Sequence, residues 1–284
     1  MSQNLPTIAI VTPSYNQAKF LEQTLASVVN QGYPKLHYSV MDGGSTDGSK
    51  EIIVKYAKQI DHWQSEKDGG QSAAIAIGFT KSQSEIMGWL NSDDFLLPGS
   101  LELIGSFFAK NPDIEAVSCG CLSVNAESQR VKDGFGYTTR GVAASYDRFR
   151  FLETQDGVFQ PATFWRRRAY DAVGGLDPSL QFTLDLDLFT KLARRRRFAK
   201  LSHFVACYRW HGESKTTRMQ EVRTAELAIF RERFNTASLA PYHRLLRYYQ
   251  FRVPSLVRKA LLRSADVISS DPSISLVGKI HANS

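Results

Sequence analysis

The sequence is short of cysteine, of long apolar runs and of glycine-rich dinucleotide loops, and each shortage excludes a class of protein. Cys119, Cys121 and Cys207 are the only cysteines in 284 residues. That is too few, and an odd number, for a disulfide framework, so reduced thiols are expected. Cys119 and Cys121 would share a face of a strand, but two sulfurs do not make a zinc site. No apolar run approaches the roughly 20 residues that span a bilayer. The opening MSQNLPTIAIVTPSYN lacks a basic leader, so no signal peptide is read and a cytoplasmic location is expected. No G-x-G-x-x-G follows the first apolar run. Pro13-Ser14-Tyr15-Asn16 stands there instead, which argues against a dinucleotide oxidoreductase.

Acidic residues are missing from 240–264, where Arg244, Arg247, Arg252, Arg258, Lys259 and Arg263 accumulate in a chain of net charge +7. That asymmetry points to an anionic partner. No nucleic-acid motif accompanies it, so nucleic acid is set aside. Two readings of this segment stand: an anionic membrane surface reached by a peripheral protein at the inner face, or a solvated helix face packed through Leu245, Leu246, Leu256, Val257, Leu261 and Leu262. Hydrophobic residues make up 43%, enough for a full core.

The apolar pattern alternates between short β-branched runs and helical spacing. Ile8–Thr12, Tyr38–Met41, a stretch near Trp63 and Ile86–Leu90 read as strands. Phe20 to Val29, Ile52 to Ile60, Gln71–Lys81 and Ser100–Ala109 read as helices. Such a rhythm implies parallel strands covered by helices. Beyond it, 122–160 reads as a loop or β excursion, Arg167–Val173 and Asp185–Arg196 as helices, and Phe204–Trp210 as a strand. Ligands gather at the C-terminal strand ends of such sheets, and the polar clusters fall there: Pro13–Asn16, Asp42–Asp47, Asp68–Gln71 and Asn91–Asp94.

Asn91-Ser92-Asp93-Asp94 suits Mg²⁺ or Mn²⁺, hard cations that take carboxylate oxygen and bridge to phosphate. It equally suits a solvated turn or a cap for the next helix. In Asp42-Gly43-Gly44-Ser45-Thr46-Asp47 the glycines admit close ligand approach, and Asp42 is placed to bond a base or ribose. Asp47 there reads first as a helix cap. Leu184-Asp185-Leu186-Asp187 opens a helix, with one Asp free for a cleft or both capping. Tyr208-Arg209-Trp210-His211 to Lys215 offers His211 as a metal ligand, and Arg209 and Lys215 as phosphate contacts. His211 also fits a purely structural role.

In this order, the segments TPSYNQAKFLEQTLASVVNQGYP, MDGGSTDGSKEII, SEKDGGQSAAIAIGF, MGWLNSDDFLLPGSLE, QPATFWRRRAYDAVGGLDPSL, DLDLFTKLARR and YRWHGESKT resemble glycosyltransferase family two, covering residues 7 to about 217. The resemblance implies an α/β GT-A fold: a Rossmann-like, mostly parallel sheet flanked by helices. It implies a catalytic domain over 1–217, with a donor half at about 1–110 and an acceptor half at about 111–217. A helical basic extension would follow over 218–284.

It also implies an inverting transfer of a sugar from a nucleoside diphosphate, uridine favoured, to a saccharide or lipid-linked saccharide in cell-surface polysaccharide or glycan assembly. Thr12, Pro13, Tyr15, Asp42, Asp68, Asn91 and Ser92 would bind the nucleotide sugar. Asp93 and His211 would hold Mn²⁺ or Mg²⁺, Asp185 would be the base, and Phe164, Trp165 and Arg166 would line the acceptor side. Gly43, Asn91 and Leu184 depart from the family pattern, each where a carboxylate is usual. The alternatives are a non-catalytic nucleotide-sugar binder and a sugar-1-phosphate nucleotidyltransferase.

Overall fold

The computed structural model describes residues 4–131, 158–195, 197–212, 215 and 219–234. β1 (Ile8–Ser14) is buried at all seven positions, as expected of a strand covered on both faces. Its residues alternate between two cores. Ile8 and Ile10 join one with Leu21, Leu25, Tyr38 and Ile53; Val11 joins the other with Met41, Ile75, Phe79 and Trp89. Helix α1 (Ala18–Val29) presents Phe20, Leu21, Thr24, Leu25 and Val28 as its buried stripe. β2 (Leu36–Asp42), α2 (Ser49–Tyr56), β3 (His62–Ser65), α3 (Gln71–Thr80) and β4 (Ile86–Trp89) continue the rhythm. The strands lie in the order β3-β2-β1-β4, all parallel.

The second half extends the same sheet. β5 (Phe95–Leu96), α4 (Ser100–Lys110), β6 (Ala116–Val124), a 3₁₀ turn (Gln160–Ala162), β7 (Thr163–Arg166), α5 (Arg167–Ala172), α6 (Leu184–Arg194), β8 (Phe198–Arg209) and α7 (Gln220–Phe234) follow. The full order is β3-β2-β1-β4-β7-β6-β8-β5. β7 runs antiparallel to β4 and β6, β8 is parallel to β6, and β5 is antiparallel to β8. The expected α/β architecture is therefore present, with a mixed second half. β6 runs with its last residues into the stretch from residue 122 that reads as a loop or β excursion. All nine of its residues are buried, so no polar alternation marked it as a strand.

The chain divides into two compact units, Met1–Phe230 and Arg231–Ser284. The division falls within α7, whose first turns belong to the first unit. The basic segment 240–264 and the stretch 132–157 lie outside the described residues. Among the described residues no helix is long and apolar enough to cross a membrane.

The structure corrects the acceptor-side expectation for Phe164, Trp165 and Arg166. β7 lies inside the sheet, so its side chains enter the two cores. Trp165 is 0% exposed and packs its ring against Phe79, Trp89, Tyr170 and Phe189. Phe164 joins the opposite core. Arg166 pairs with the Glu85 carboxylate and donates to the carbonyls of Ile114, Phe108 and Asn111. It is opposite Ile86 at the start of β4, the far end from the C-terminal edge.

Helix α3 lies close on β1 and β2 because Gly78 has no side chain. A Cβ there would come within 2.6 Å of Val11 Cγ1 and 3.1 Å of Met41 Cγ. Gly78→Ala is expected to destabilise the fold by about 1–3 kcal/mol through overpacking, read as a lower urea midpoint with an unchanged slope.

Candidate functional site

The loops after β1 and β2 are tied together before any ligand is considered. Asn16 takes a left-handed backbone, φ 51°. Its N–H donates to Ser45 Oγ at 2.8 Å, and its Oδ1 accepts the Thr46 N–H at 3.0 Å. Asp47 caps two helices at once. One oxygen accepts the Ala18 N–H at the start of α1; the other accepts the N–H and hydroxyl of Ser49 at the start of α2. Burial works to raise the Asp47 carboxyl, but these donors outweigh it and hold the group below its ordinary value. The capping reading of Asp47 is therefore the correct one.

Asp42 plays a different part from the one expected. It is fully buried, and its carboxylate accepts the Ser45 N–H, the Ser45 hydroxyl and the Ser65 hydroxyl. It shapes the loop and has no surface left for a base or ribose. Thr12 is likewise interior, with its hydroxyl 2.9 Å from that of Tyr38. Pro13 is a buried strand residue beside Met41. Ser92 is buried, and its carbonyl accepts from Thr24 of α1. These four build the wall of the site from within. Tyr15 is 64% exposed, and Asp68 is partly exposed. They meet at Gly43, where an added Cβ would lie 3.2 Å from Asp68 Oδ2 and 3.3 Å from the Tyr15 ring. An aromatic face beside a carboxylate acceptor suits a nucleobase and its ribose.

At the end of β4, Asn91 joins a chain of amides. Gln71 Nε2 donates to Asn91 Oδ1 at 2.7 Å, Asn91 Nδ2 donates to Gln160 Oε1 at 3.0 Å, and Gln160 Nε2 donates to the Trp89 carbonyl at 2.6 Å. Lys215 extends it, its ammonium donating to Gln71 Oε1 at 2.6 Å and to the Gln181 carbonyl at 3.3 Å. Burial lowers the Lys215 ammonium below its usual value against the pull of Glu226, Asp68 and Asp93. Lys215 thus joins the Asn91–Asp94 turn to the turn that leads into Asp185.

Asp93 Oδ2 lies 3.0 Å from His211 Nε2. Adjacent ligands on an octahedral ion with bonds of about 2.1 Å stand about 3.0 Å apart, so this pair fits one Mg²⁺ or Mn²⁺. The imidazole Nδ1 is buried without a hydrogen-bond partner. Among the described residues no three His, Cys, Asp or Glu side chains cluster for a metal. A cation here would complete its shell with water and phosphate oxygen. Asp94 does not share the role. It is buried and accepts the Arg209 N–H at 2.9 Å. Burial first, then the Asp93 charge, push its carboxyl well above the usual range.

Arg209, expected to contact phosphate, faces inward and is 1% exposed. Its guanidinium donates to the Asp93, Asn125 and Ala126 carbonyls, Ser128 Oγ and Gln23 Oε1. The ring of Phe20 lies 4.8 Å away and that of Phe95 5.4 Å. On α6, Asp187 is buried and paired with Lys191 at 2.5 Å. Asp185 is partly exposed, with Oδ1 accepting the Leu186 N–H at 2.7 Å. Burial raises the Asp185 carboxyl to about 6, Glu226 adds to the rise, and the backbone N–H groups of Leu186 and Asp185 oppose it. Gln160 and Glu226 went unnoticed in the sequence, where neither stands in a pattern that separates it from neighbouring polar residues.

The model described as "Glycosyl transferase family 2" matches residues 9–174. A chondroitin synthase of Pasteurella multocida (strain Pm70) is 24% identical over 226 residues, 75% of this chain and 22% of that protein. The chain thus spans about a fifth of that synthase. An uncharacterized glycosyltransferase of Haemophilus influenzae is 35% identical over 111 residues, 38% of this chain and 44% of that one. The mannosyltransferase PcManGT of Pyrobaculum calidifontis, in complex with GDP-Man and Mn²⁺, has a TM-score of 0.63 at 18% identity, covering 98% of this chain and 80% of that one. S. aureus TarS 1–349 in complex with UDP-GlcNAc has a TM-score of 0.60 at 16% identity, covering 73% and 60%. These likenesses establish the GT-A fold.

Removing the Arg209 guanidinium leaves buried carbonyls without donors. Arg209→Met is expected to cost at least about 3 kcal/mol in urea unfolding. Arg209→Lys should restore little of it, because an ammonium cannot reproduce the planar fork.

Proposed function

The chain belongs to glycosyl transferase family 2, and on that premise we propose that it moves a sugar from a nucleoside diphosphate sugar to an acceptor hydroxyl, with inversion at the anomeric carbon. The observation that carries this reading is the convergence at Lys215. On one side lies the turn bearing the Asp93–His211 pair, and on the other the turn that leads into Asp185.

The donor's base would stack on Tyr15, with Asp68 accepting from its base or ribose beside Gly43. Asp93 and His211 would hold a divalent cation, which supplies Lewis-acid stabilisation of the departing diphosphate. The Lys215 ammonium adds a fixed positive charge on the same side. Asp185 accepts the proton of the acceptor hydroxyl as its oxygen bonds to the anomeric carbon. The bond from that carbon to the diphosphate oxygen breaks, and the nucleoside diphosphate leaves with the electron pair. One displacement inverts the centre. The Asp185 carboxyl, raised to about 6, is a stronger base than an ordinary aspartate and is still ionised at neutral pH. A uridine diphosphate sugar is the first donor to test, since TarS is named with one. The acceptor would be a saccharide or lipid-linked saccharide hydroxyl in polysaccharide or glycan assembly.

Asp185→Asn should lower turnover by about 10²–10⁴-fold while nucleotide binding survives. In the unaltered enzyme the base works only when ionised. Turnover should therefore be level above about pH 6 and fall tenfold per unit below it; a flat profile down to pH 4.5 would speak against Asp185. Separately, Asp93→Ala should remove the Mn²⁺ dependence of nucleoside diphosphate binding in calorimetry. Equal binding with and without Mn²⁺ in the unaltered protein would overturn the cation assignment.

A further inference from the structure

Asp185 opens α6, and the turn before it is held by one buried carboxylate from another helix. Glu226, on α7, is 7% exposed. Its Oε1 accepts the Gln181 N–H at 2.7 Å. Its Oε2 accepts the Phe182 N–H at 3.0 Å, the Thr183 N–H at 2.7 Å and the Thr183 hydroxyl at 2.9 Å. Thr183 makes no side-chain cap of its own to α6. Three successive backbone N–H groups therefore converge on one side chain that sits 41 residues beyond the base. A carboxylate held this way has one geometry, and it fixes the turn in one geometry too. Burial alone would raise the Glu226 carboxyl, but these donors outweigh it and hold the group below its usual range, so it stays charged throughout the working pH range.

We propose that Glu226 is a positioning residue for the transfer reaction: it locks the Gln181–Thr183 turn so that Asp185, two residues on, meets the acceptor hydroxyl in a fixed orientation beside a permanent negative charge. Among the described residues, the charged groups near this turn are Glu226 from α7, Arg223 of the same helix over the Phe182 ring, Lys215 from the segment before it with Asp68 and Asp93 acting on it, and the Asp187–Lys191 pair on α6 itself. Glu226 acts on both sides of the cleft. Its charge favours the protonated form of Asp185, which strengthens the base, and it favours the charged form of Lys215. The inference rests on the base role proposed for Asp185.

The experiment is a double-mutant cycle in the full chain: unaltered protein, Asp185→Asn, Glu226→Gln and the double variant. Donor KM and kcat are measured for each, with a thermal melt to check folding. Glu226→Gln is expected to lower kcat about tenfold with donor KM within about twofold, and to move the acid limb of the kcat profile to lower pH. In the Asp185→Asn background the same change should cost nothing further, since the group it positions is gone. Equal losses in both backgrounds, or no loss in the unaltered one, overturn the inference. Wild-type turnover by Asp185→Asn alone would instead sink the base assignment. Should Glu226→Gln fail to fold, Thr183→Val serves in its place. It deletes one of the four donors and should lower kcat about two- to threefold, only while Asp185 is present.

Discussion

The buried guanidinium of Arg209 is the constraint on which the site depends. Taking such a charge out of water costs several kcal/mol unless its donors are satisfied. Here its acceptors are five in number and come from α1, the Asp93 carbonyl and the turn at 125–128. None of these segments is adjacent in sequence to the others. The chain must therefore assemble them around one cation, and in doing so it fixes the backbone of Asp93. The next residue but one, His211, meets that aspartate's carboxylate. The neighbouring carboxyl, Asp94, accepts the Arg209 N–H. The stability of the fold and the placement of the Asp93–His211 pair thus depend on the same few atoms.

A second consequence concerns which aspartates are committed to internal partners and which stay partly exposed. Asp42, Asp47, Asp94 and Asp187 are committed to internal donors, an internal cation or the core. Asp68 and Asp93, beyond the ends of β3 and β4, and Asp185, at the start of α6, are each partly exposed. Burial accounts for part of the separation: Asp42, Asp94 and Asp187 lie inside, whereas Asp47 is exposed and is committed by its three donors alone. A carboxylate inside the sheet is tolerable only when hydrogen-bonded or neutralised, and one at the edge can await a ligand.

Much of this was legible in the sequence, and the part that was not has physical reasons. The strands from Ile8 to Trp89 and the helices between them show in the spacing of apolar residues, because each element there is short, regular and punctuated by glycine. Asp93, His211 and Asp185 are candidates because ligand-type residues at strand ends and helix starts stand out against an apolar background, and the structure places Asp93 beside His211. The wall residues Thr12, Pro13, Asp42 and Ser92 were placed in the right neighbourhood but on the wrong side of the surface. A motif specifies position along the chain, whereas which way a side chain points depends on the register of the sheet. Trp165 and Arg166 misled for a related reason. Aromatic and basic residues suit sugars, but the antiparallel insertion of β7 between β4 and β6 is a long-range pairing that no local pattern announces. Glu226 was invisible because it sits among other charges in what reads as a helical basic extension.

The free N–H groups at a helix start are a ready cradle for phosphate, and at this edge the protein has already filled several with its own carboxylates. Asp47 occupies the starts of α1 and α2, Asp68 takes the Gly70 N–H ahead of α3 at 2.7 Å, and Glu226 takes the approach to α6. Under the proposed reaction, an incoming diphosphate would find these N–H groups already engaged, and its charge would fall to Lys215 and a divalent ion instead of to backbone. Selection for phosphate would then pass from the fold, which is permanent, to a cation whose supply varies with its surroundings.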